Sequence, residues 1–199
     1  MNFGGLAIAY DDRVLCPRPW TLAQSMWCAE LLRSGPDGPV LELCAGVGHI
    51  GLVAVAASRR ELVMVDLNPA ACELARRNAD ATAMGHRVEI RQGRMDVVVA
   101  DGEQYALIIA DPPWVASSHL ASYPEDPAVA IDGGSDGLHL ARMTCSIIDE
   151  HLAEGGSAIL QLGTTAQVDA IADHLARTST LRVREVRSFE RGALVRLSR

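Results

Sequence analysis

The sequence predicts an α/β fold: a mainly parallel seven-stranded sheet that closes with an antiparallel pair of strands. Three observations carry this expectation. Short apolar runs alternate with helical stretches from Val40 to Ala176, a glycine turn follows the first run, and the last two runs alternate like paired strands around Gly192. Alternating strands and helices imply crossover connections, hence parallel neighbours and a sheet covered on both faces.

The elements follow in order. An extended start leads through Pro17-Arg18-Pro19-Trp20 to a helix over Thr21–Leu32, with Thr21 as N-cap and Gln24 completing a capping box. The breaker cluster Ser34–Pro39 marks the best internal boundary. Residues 1–35 are therefore expected to pack as an N-terminal segment and helix on the main domain spanning 36–199. Strands are expected at Val40–Cys44, Leu62–Val65, Val88–Ile90, Leu107–Ala110 and Ala158–Leu162, and the closing pair at Leu181–Val186 and Ala193–Leu197. Helices are expected at Ile50–Ala57, from Asn68-Pro69 (Asn as cap, Pro at the first helical position), over Asp136–Leu152 up to Gly155-Gly156, and at Thr165–Ala176. A long loop covers Asp111–Ser135.

A chain of 199 residues fits one domain, and 49% hydrophobic with 22% charged residues is ordinary for a globular protein. The net charge of −7 repels phosphate backbones and disfavours nucleic acid as a partner. Five cysteines, odd in number and never C-x-x-C, argue against a disulfide framework or a metal site. No basic, apolar leader opens the chain and no apolar run approaches a membrane span of ~20 residues, so a cytoplasmic protein without a membrane partner is expected.

The chemistry begins at Leu41-Glu42-Leu43-Cys44-Ala45-Gly46-Val47-Gly48-His49-Ile50-Gly51, a strand, a glycine turn and a helix start. Glycines there let the backbone approach a ligand closely. Gly46, Gly48 and Gly51 also spell G-x-G-x-x-G, so a nicotinamide dinucleotide and an oxidoreductase stand as an alternative. Asp66 ends the next strand, where an acceptor-only carboxylate can take both hydroxyls of a ribose. Glu42 is placed either to hold the loop or to receive an ammonium group. His49 is expected on the helix surface.

The fourth strand runs into Asp111-Pro112-Pro113-Trp114. Each proline fixes its own φ and extends its predecessor, making a stiff shelf at the carboxyl edge of the sheet, where ligands of open α/β folds bind. A carboxylate, a free Pro112 carbonyl and an indole face suit an NH2 group. Two acceptors fix its hydrogens and leave the nitrogen lone pair free.

This shelf resembles the Asn/Asp/Ser-Pro-Pro-aromatic signature of amino-methyltransferases. The wider chain resembles the release-factor glutamine methyltransferase (HemK) family. Val14-Leu15-Cys16-Pro17-Arg18-Pro19-Trp20-Thr21 is similar to its V-L-I-P-R-P-E-T segment. Asp126–Ala130 and Gly133–Leu138 are similar to its E-P-x-x-A-L and G-G-x-D-G-L stretches. The likeness covers most of Phe3–Gly163, in a short form without that family's N-terminal helical domain. The resemblance implies a Rossmann-like methyltransferase fold, whose closing antiparallel pair the sequence also carries. It implies S-adenosyl-L-methionine (SAM) bound by Glu42, Cys44, Ala45, Gly46, Val47, Gly48, Asp66, Leu67 and Met95. Asp111 and Pro112 would be catalytic, with Pro113, Trp114 and Trp20 binding the acceptor. The family's Glu and Tyr are Trp20 and Trp114 here, and Arg94 stands where it has an acidic residue, with Asp96 nearby. Methyl transfer to a nitrogen is expected, first to a protein or peptide glutamine-type amide. A small amine or amide held in a tighter aromatic pocket, adenine in nucleic acid, and a non-catalytic SAM-binding subunit are the alternatives.

Overall fold

The computed structural model describes residues 1–199. Nine strands and seven α-helices follow one another. They are β1 (Asn2–Phe3), β2 (Leu6–Ala7), α1 (Leu22–Leu32), β3 (Val40–Leu43), α2 (His49–Val55), β4 (Leu62–Asp66), α3 (Pro69–Ala81) and β5 (Val88–Gln92). Then come α4 (Met95–Val98), β6 (Tyr105–Ala110), α5 (Ala128–Ile131), α6 (His139–His151), β7 (Leu152–Leu162), α7 (Thr165–Thr178), β8 (Arg182–Phe189) and β9 (Gly192–Ser198).

β1 and β2 form a small hairpin, and the other seven strands make one sheet in the order β5-β4-β3-β6-β7-β9-β8. β5, β4, β3, β6 and β7 run parallel, whereas β9 pairs antiparallel with both β7 and β8. The strand order reverses direction between β3 and β6, and a crevice at the carboxyl ends of such strands is the natural place for a ligand. β3 and β6 are buried along their whole length, as parallel strands covered on both faces must be. β8 is the outer margin of the sheet, with Arg182 and Arg184 exposed along it.

Each face of the sheet carries a cluster of 25 buried residues. One joins Phe3, Trp27 and Leu32 from the start of the chain to α2, α3 and the sheet; the other lies beneath α6 and α7. Asn78 of α3 is fully buried and binds three backbone groups. Its Oδ1 accepts from Ala9 N at 2.8 Å, and its Nδ2 donates to Ala9 O and Val47 O, both at 3.0 Å. The opening segment and the glycine turn are thereby tied to one helix.

Several expectations are corrected. Thr21 makes no side-chain cap, because a 3-10 turn over Pro19–Thr21 precedes α1 and Thr21 Oγ1 donates back to Arg18 O at 2.8 Å. Gln24 forms no capping box and points into the core. α6 ends at His151, and β7 begins at once, running through Gly155-Gly156 with a register shift against β6 between Tyr105 and Leu107. The long loop holds a 3-10 stretch at Ser117–Ser122 and the short α5. The Asn68 cap is as expected: its side chain accepts from Ala70 N at 2.9 Å.

Candidate functional site

A cavity of about 290 Å3 opens at the carboxyl edge beside the β3–β6 reversal. That is near the lower end of the range of about 300–1,000 Å3 usual for small-molecule sites. Its floor is the glycine turn, Cys44 to Val47. One side is Asp66, Leu67 and Asn68, with Gly93, Arg94 and Met95 beyond them; Val14–Arg18 and Thr21 make the opposite wall.

The turn is shaped by three consecutive requirements. Cys44 sits at φ 56°, Gly46 at 54° and Gly48 at 78°. Left-handed backbone is costly for any residue with a Cβ, so Cys44 is held there by its surroundings. A Cβ on Gly46 would meet nothing within 4 Å, because it would project into open space at the cavity floor. One on Gly48 would strike Met64 Sδ at 2.7 Å. The first glycine leaves room for a ligand and the second lets the turn settle onto β4.

Asp66 locks this turn and still faces the cavity. Its Oδ2 accepts from Gly46 N at 2.7 Å and its Oδ1 from Asn68 N at 2.8 Å. Each oxygen keeps a free lone pair, which suits a vicinal diol. Burial raises its carboxyl above the ordinary value while these backbone donors pull it back. Leu67 is 58% exposed on the cavity rim, and Met95 is buried with its sulfur accepting from Thr144 Oγ1 at 3.7 Å. Arg94 lines the cavity and is gripped by Asp96, with contacts of 3.0 and 2.6 Å.

Asp111 reaches the same cavity from the end of β6. Desolvation, with no neighbouring cation or hydrogen bond to offset it, pushes its carboxyl up to about 7. Pro113 also lines the cavity, and Pro112 is buried behind it. Over this space lies α5, contributing Val129 and Ala130. An ion pair from Arg18 to Asp126 ties the loop before α5 to the opposite wall.

Glu42 does not line the cavity. It is buried beneath α2, where Oε1 accepts from Gly51 N at 3.0 Å, so of its two expected roles it holds the loop. Its Oε2 has no partner, and burial pushes the carboxyl up to about 8. Trp114 does not face the cavity either: its indole lies across Gly163, where a Cβ would be 2.3 Å from the ring. Trp20 is half-buried outside the cavity, with Arg18 and Arg191 over its ring at 5.6 and 5.0 Å. The tryptophans therefore make no aromatic pocket. His49, expected on the surface, lines the cavity instead. Thr21 spends its hydroxyl proton on Arg18 O, so the 3.3 Å contact to His49 Nε2 needs the ring's proton on Nε2. Nδ1 is left as a bare, buried acceptor, and desolvation lowers the ring to about 4, keeping it neutral.

Residues 24–123, half of the chain, match the family described as Methyltransferase small domain. The chain belongs to that family. Membership sets aside the nicotinamide reading of G-x-G-x-x-G, whose third glycine here makes room for Glu42. This methyltransferase small domain is 33% identical to the release factor glutamine methyltransferase of Geobacter sulfurreducens over 89% of the chain and 62% of the relative. It is 32% identical to the ribosomal protein uL3 glutamine methyltransferase of Bradyrhizobium diazoefficiens, over 80% of the chain. The chain spans 54% of that relative's length, so it accounts for between half and two thirds of either protein.

Among solved structures, the human methyltransferase 10 domain containing protein superposes with a TM-score of 0.68 at 12% identity, over 97% of this chain and 87% of its own. The Pyrococcus abyssi tRNA (uracil-54, C5)-methyltransferase in complex with S-adenosyl-L-homocysteine gives 0.60 at 13% identity, over 90% and 38%. At such identities the likeness shows the fold, a Rossmann-like methyltransferase sheet.

Asn78 and Gln24 had no mark in the sequence as parts of a site, and the pairing of Arg18 with Asp126 was not legible although both lie in the motif segments. A buried Asn on an alanine-rich helix is the one signal that periodicity could have flagged.

Proposed function

We propose that this chain is a SAM-dependent N-methyltransferase acting on the side-chain amide of a glutamine in a protein. The observation that carries the reading is the juxtaposition of two carboxylates on one cavity, Asp66 beside the glycine turn and Asp111 at the head of the proline shelf. The cavity fits the cofactor on its own terms: open space over Gly46, two free lone pairs on Asp66 for a ribose diol, and an apolar side at Leu67 and Met95 for a purine face. Cys44, Ala45 and Val47 shape the turn that would carry the methionine end. The family supports the same cofactor, and the relatives named for release factor and uL3 support the acceptor class.

When bound, SAM supplies a methyl group on a positively charged sulfonium. Asp111 would accept an N–H bond of the amide and turn its nitrogen toward that methyl, whereas Pro112, expected to offer a second acceptor, does not line the cavity. A neutral amide nitrogen is a weak nucleophile, so most of the rate comes from this orientation and from excluding water. As the N–C bond formed and the methyl C–S bond broke, leaving a neutral thioether, positive charge would grow on nitrogen, and the ionised Asp111 would stabilise it. The departing amide proton passes to the Asp111 carboxylate, whose affinity near pH 7 lets it move on to solvent. α5 and the Arg18–Asp126 pair close the cavity over the reacting atoms.

The test is a methylation assay with radiolabelled SAM on a bacterial release factor and a bacterial uL3, read by mass spectrometry at single residues. Methylation of a glutamine side chain in either protein is the expected result. Calorimetry showing no SAM binding, or label transferred only to nucleic acid, would overturn the proposal.

A further inference from the structure

We infer that two glutamines, Gln24 of α1 and Gln167 of α7, are positioning residues that clamp the Asp111–Trp114 shelf at its two ends. The inference rests on the reading of the shelf as the acceptor site.

The shelf is hard to hold by its own donors. Pro112 and Pro113 have no N–H, so only carbonyl oxygens are available along its middle. Parallel pairing of β6 with both neighbours stops at Ala110. Gln24 meets the shelf at that point. Its Nε2 donates to Ala110 O at 2.9 Å and to Ile159 O at 3.2 Å, joining the end of β6 to the body of β7. The Ala110 carbonyl shares a planar peptide unit with the Asp111 nitrogen, so fixing one fixes the other. At the far end, Gln167 Nε2 donates to Trp114 O at 2.9 Å, while its Oε1 accepts from Gly163 N at 2.8 Å. The strand end under the Trp114 ring and the last carbonyl of the shelf are thus held by one amide.

Gln24 is fully buried and its Oε1 has no partner. An unpaired buried acceptor is a cost that an apolar residue of similar size would not carry. What the position gains is the pair of bonds from Nε2. The far end of the shelf is also braced by the Val115 bridge to Ile131 and Gly133 and by the Trp114 ring against Gly163, so the Gln24 bonds are the ones that bear on where the Asp111 carboxylate stands.

The chain has three tryptophans, at 20, 27 and 114, which suits fluorine NMR of the full chain labelled with 5-fluorotryptophan. Trp114→Phe assigns the shelf signal. Gln24→Met and Gln167→Met keep side-chain length and remove the clamp. Each should shift or broaden the Trp114 line more than the Trp20 line, while the SAM dissociation constant stays within about threefold of wild type. Methyl transfer should lose about tenfold to a hundredfold in kcat at unchanged KM for SAM, the scale of a small misplacement. Gln24→Glu separates clamping from packing. Protonated, it donates and restores a native Trp114 line at low pH; ionised, it repels both carbonyls and displaces that line at high pH, beyond any change in wild type. An unmoved Trp114 line in both Met variants, or no added pH dependence in Gln24→Glu, overturns the inference. Should the wild-type chain methylate no acceptor, the proposed function fails, and the Trp114 signal still decides the clamp.

Discussion

Glu42 Oε1 accepts the Gly51 N–H at 3.0 Å, and a Cβ on Gly51 would stand 2.2 Å from Oε2 of the same carboxyl. The glycine is required by a side chain beneath it. Gly51→Ala should therefore destabilise the fold by about 1–3 kcal/mol, the usual cost of overpacking a filled interior. Urea denaturation measures it, and an unchanged midpoint would show that Glu42 swings aside freely.

The buried Glu42 carboxyl sets a pH dependence of stability. Its affinity for protons is raised from 4.5 in the unfolded chain to about 8 in the fold. Between those values the folded state binds more protons than the unfolded one, so this group's contribution is fully present below pH ~4.5 and is lost as pH climbs through about 8. Glu42→Gln cannot titrate and keeps an oxygen for Gly51. Denaturation midpoints from pH 5 to 8.5 should fall less steeply in that variant. Parallel slopes would mean that Glu42 is already ionised in the fold.

Asp66 is expected to act on cofactor binding, both directly and through the glycine turn it locks. Asp66→Ala should weaken SAM binding by about 1.5–3 kcal/mol, the range for hydrogen bonds to a charged group. Calorimetry would read this as roughly tenfold or more in the dissociation constant. An unaltered affinity would place the ribose elsewhere.

Asp111 should act on turnover. Asp111→Ala should lower kcat by ~10²-fold, as loss of a preorganised polar group does. Because burial raises this carboxyl to about 7 and the ionised form is needed, kcat/KM should climb with pH through about 7 and then level off. Asp111→Asn keeps one acceptor oxygen but neither the charge nor the proton acceptor, so it should stay well below wild type at high pH and lose that limb. A limb near 7 that survives in the Asn variant would belong to another group.

The strand runs, the Asn68 cap, the glycine turn and the strand-end positions of Asp66 and Asp111 were legible because each depends on local chemistry alone. Orientation across the sheet was not. Glu42 lies in a strand buried on both faces, where alternation cannot say which side meets the ligand. His49 begins a helix whose surface is covered by Phe3, with ring centroids 4.7 Å apart, a contact made by residues far away in the chain. Gln24 satisfied a capping pattern by its spacing from Thr21, yet α1 is wedged against β6 and β7, and tertiary acceptors outcompeted the local cap. Trp114 was placed correctly along the chain, but its ring direction depends on the bare surface of Gly163.

The two margins of the large sheet are both lined with charge. β8 alternates Arg182, Arg184 and Val186 outward with Glu185 and Arg187 between them, and β5 carries Glu89 and Arg91 in a network with Glu103. A strand arriving from a second molecule would have to strip water from guanidinium groups before reaching a backbone donor. The antiparallel pair thus finishes the sheet as well as extending it, and the charge along its rim disfavours pairing with a further strand while the crevice between β3 and β6 stays open.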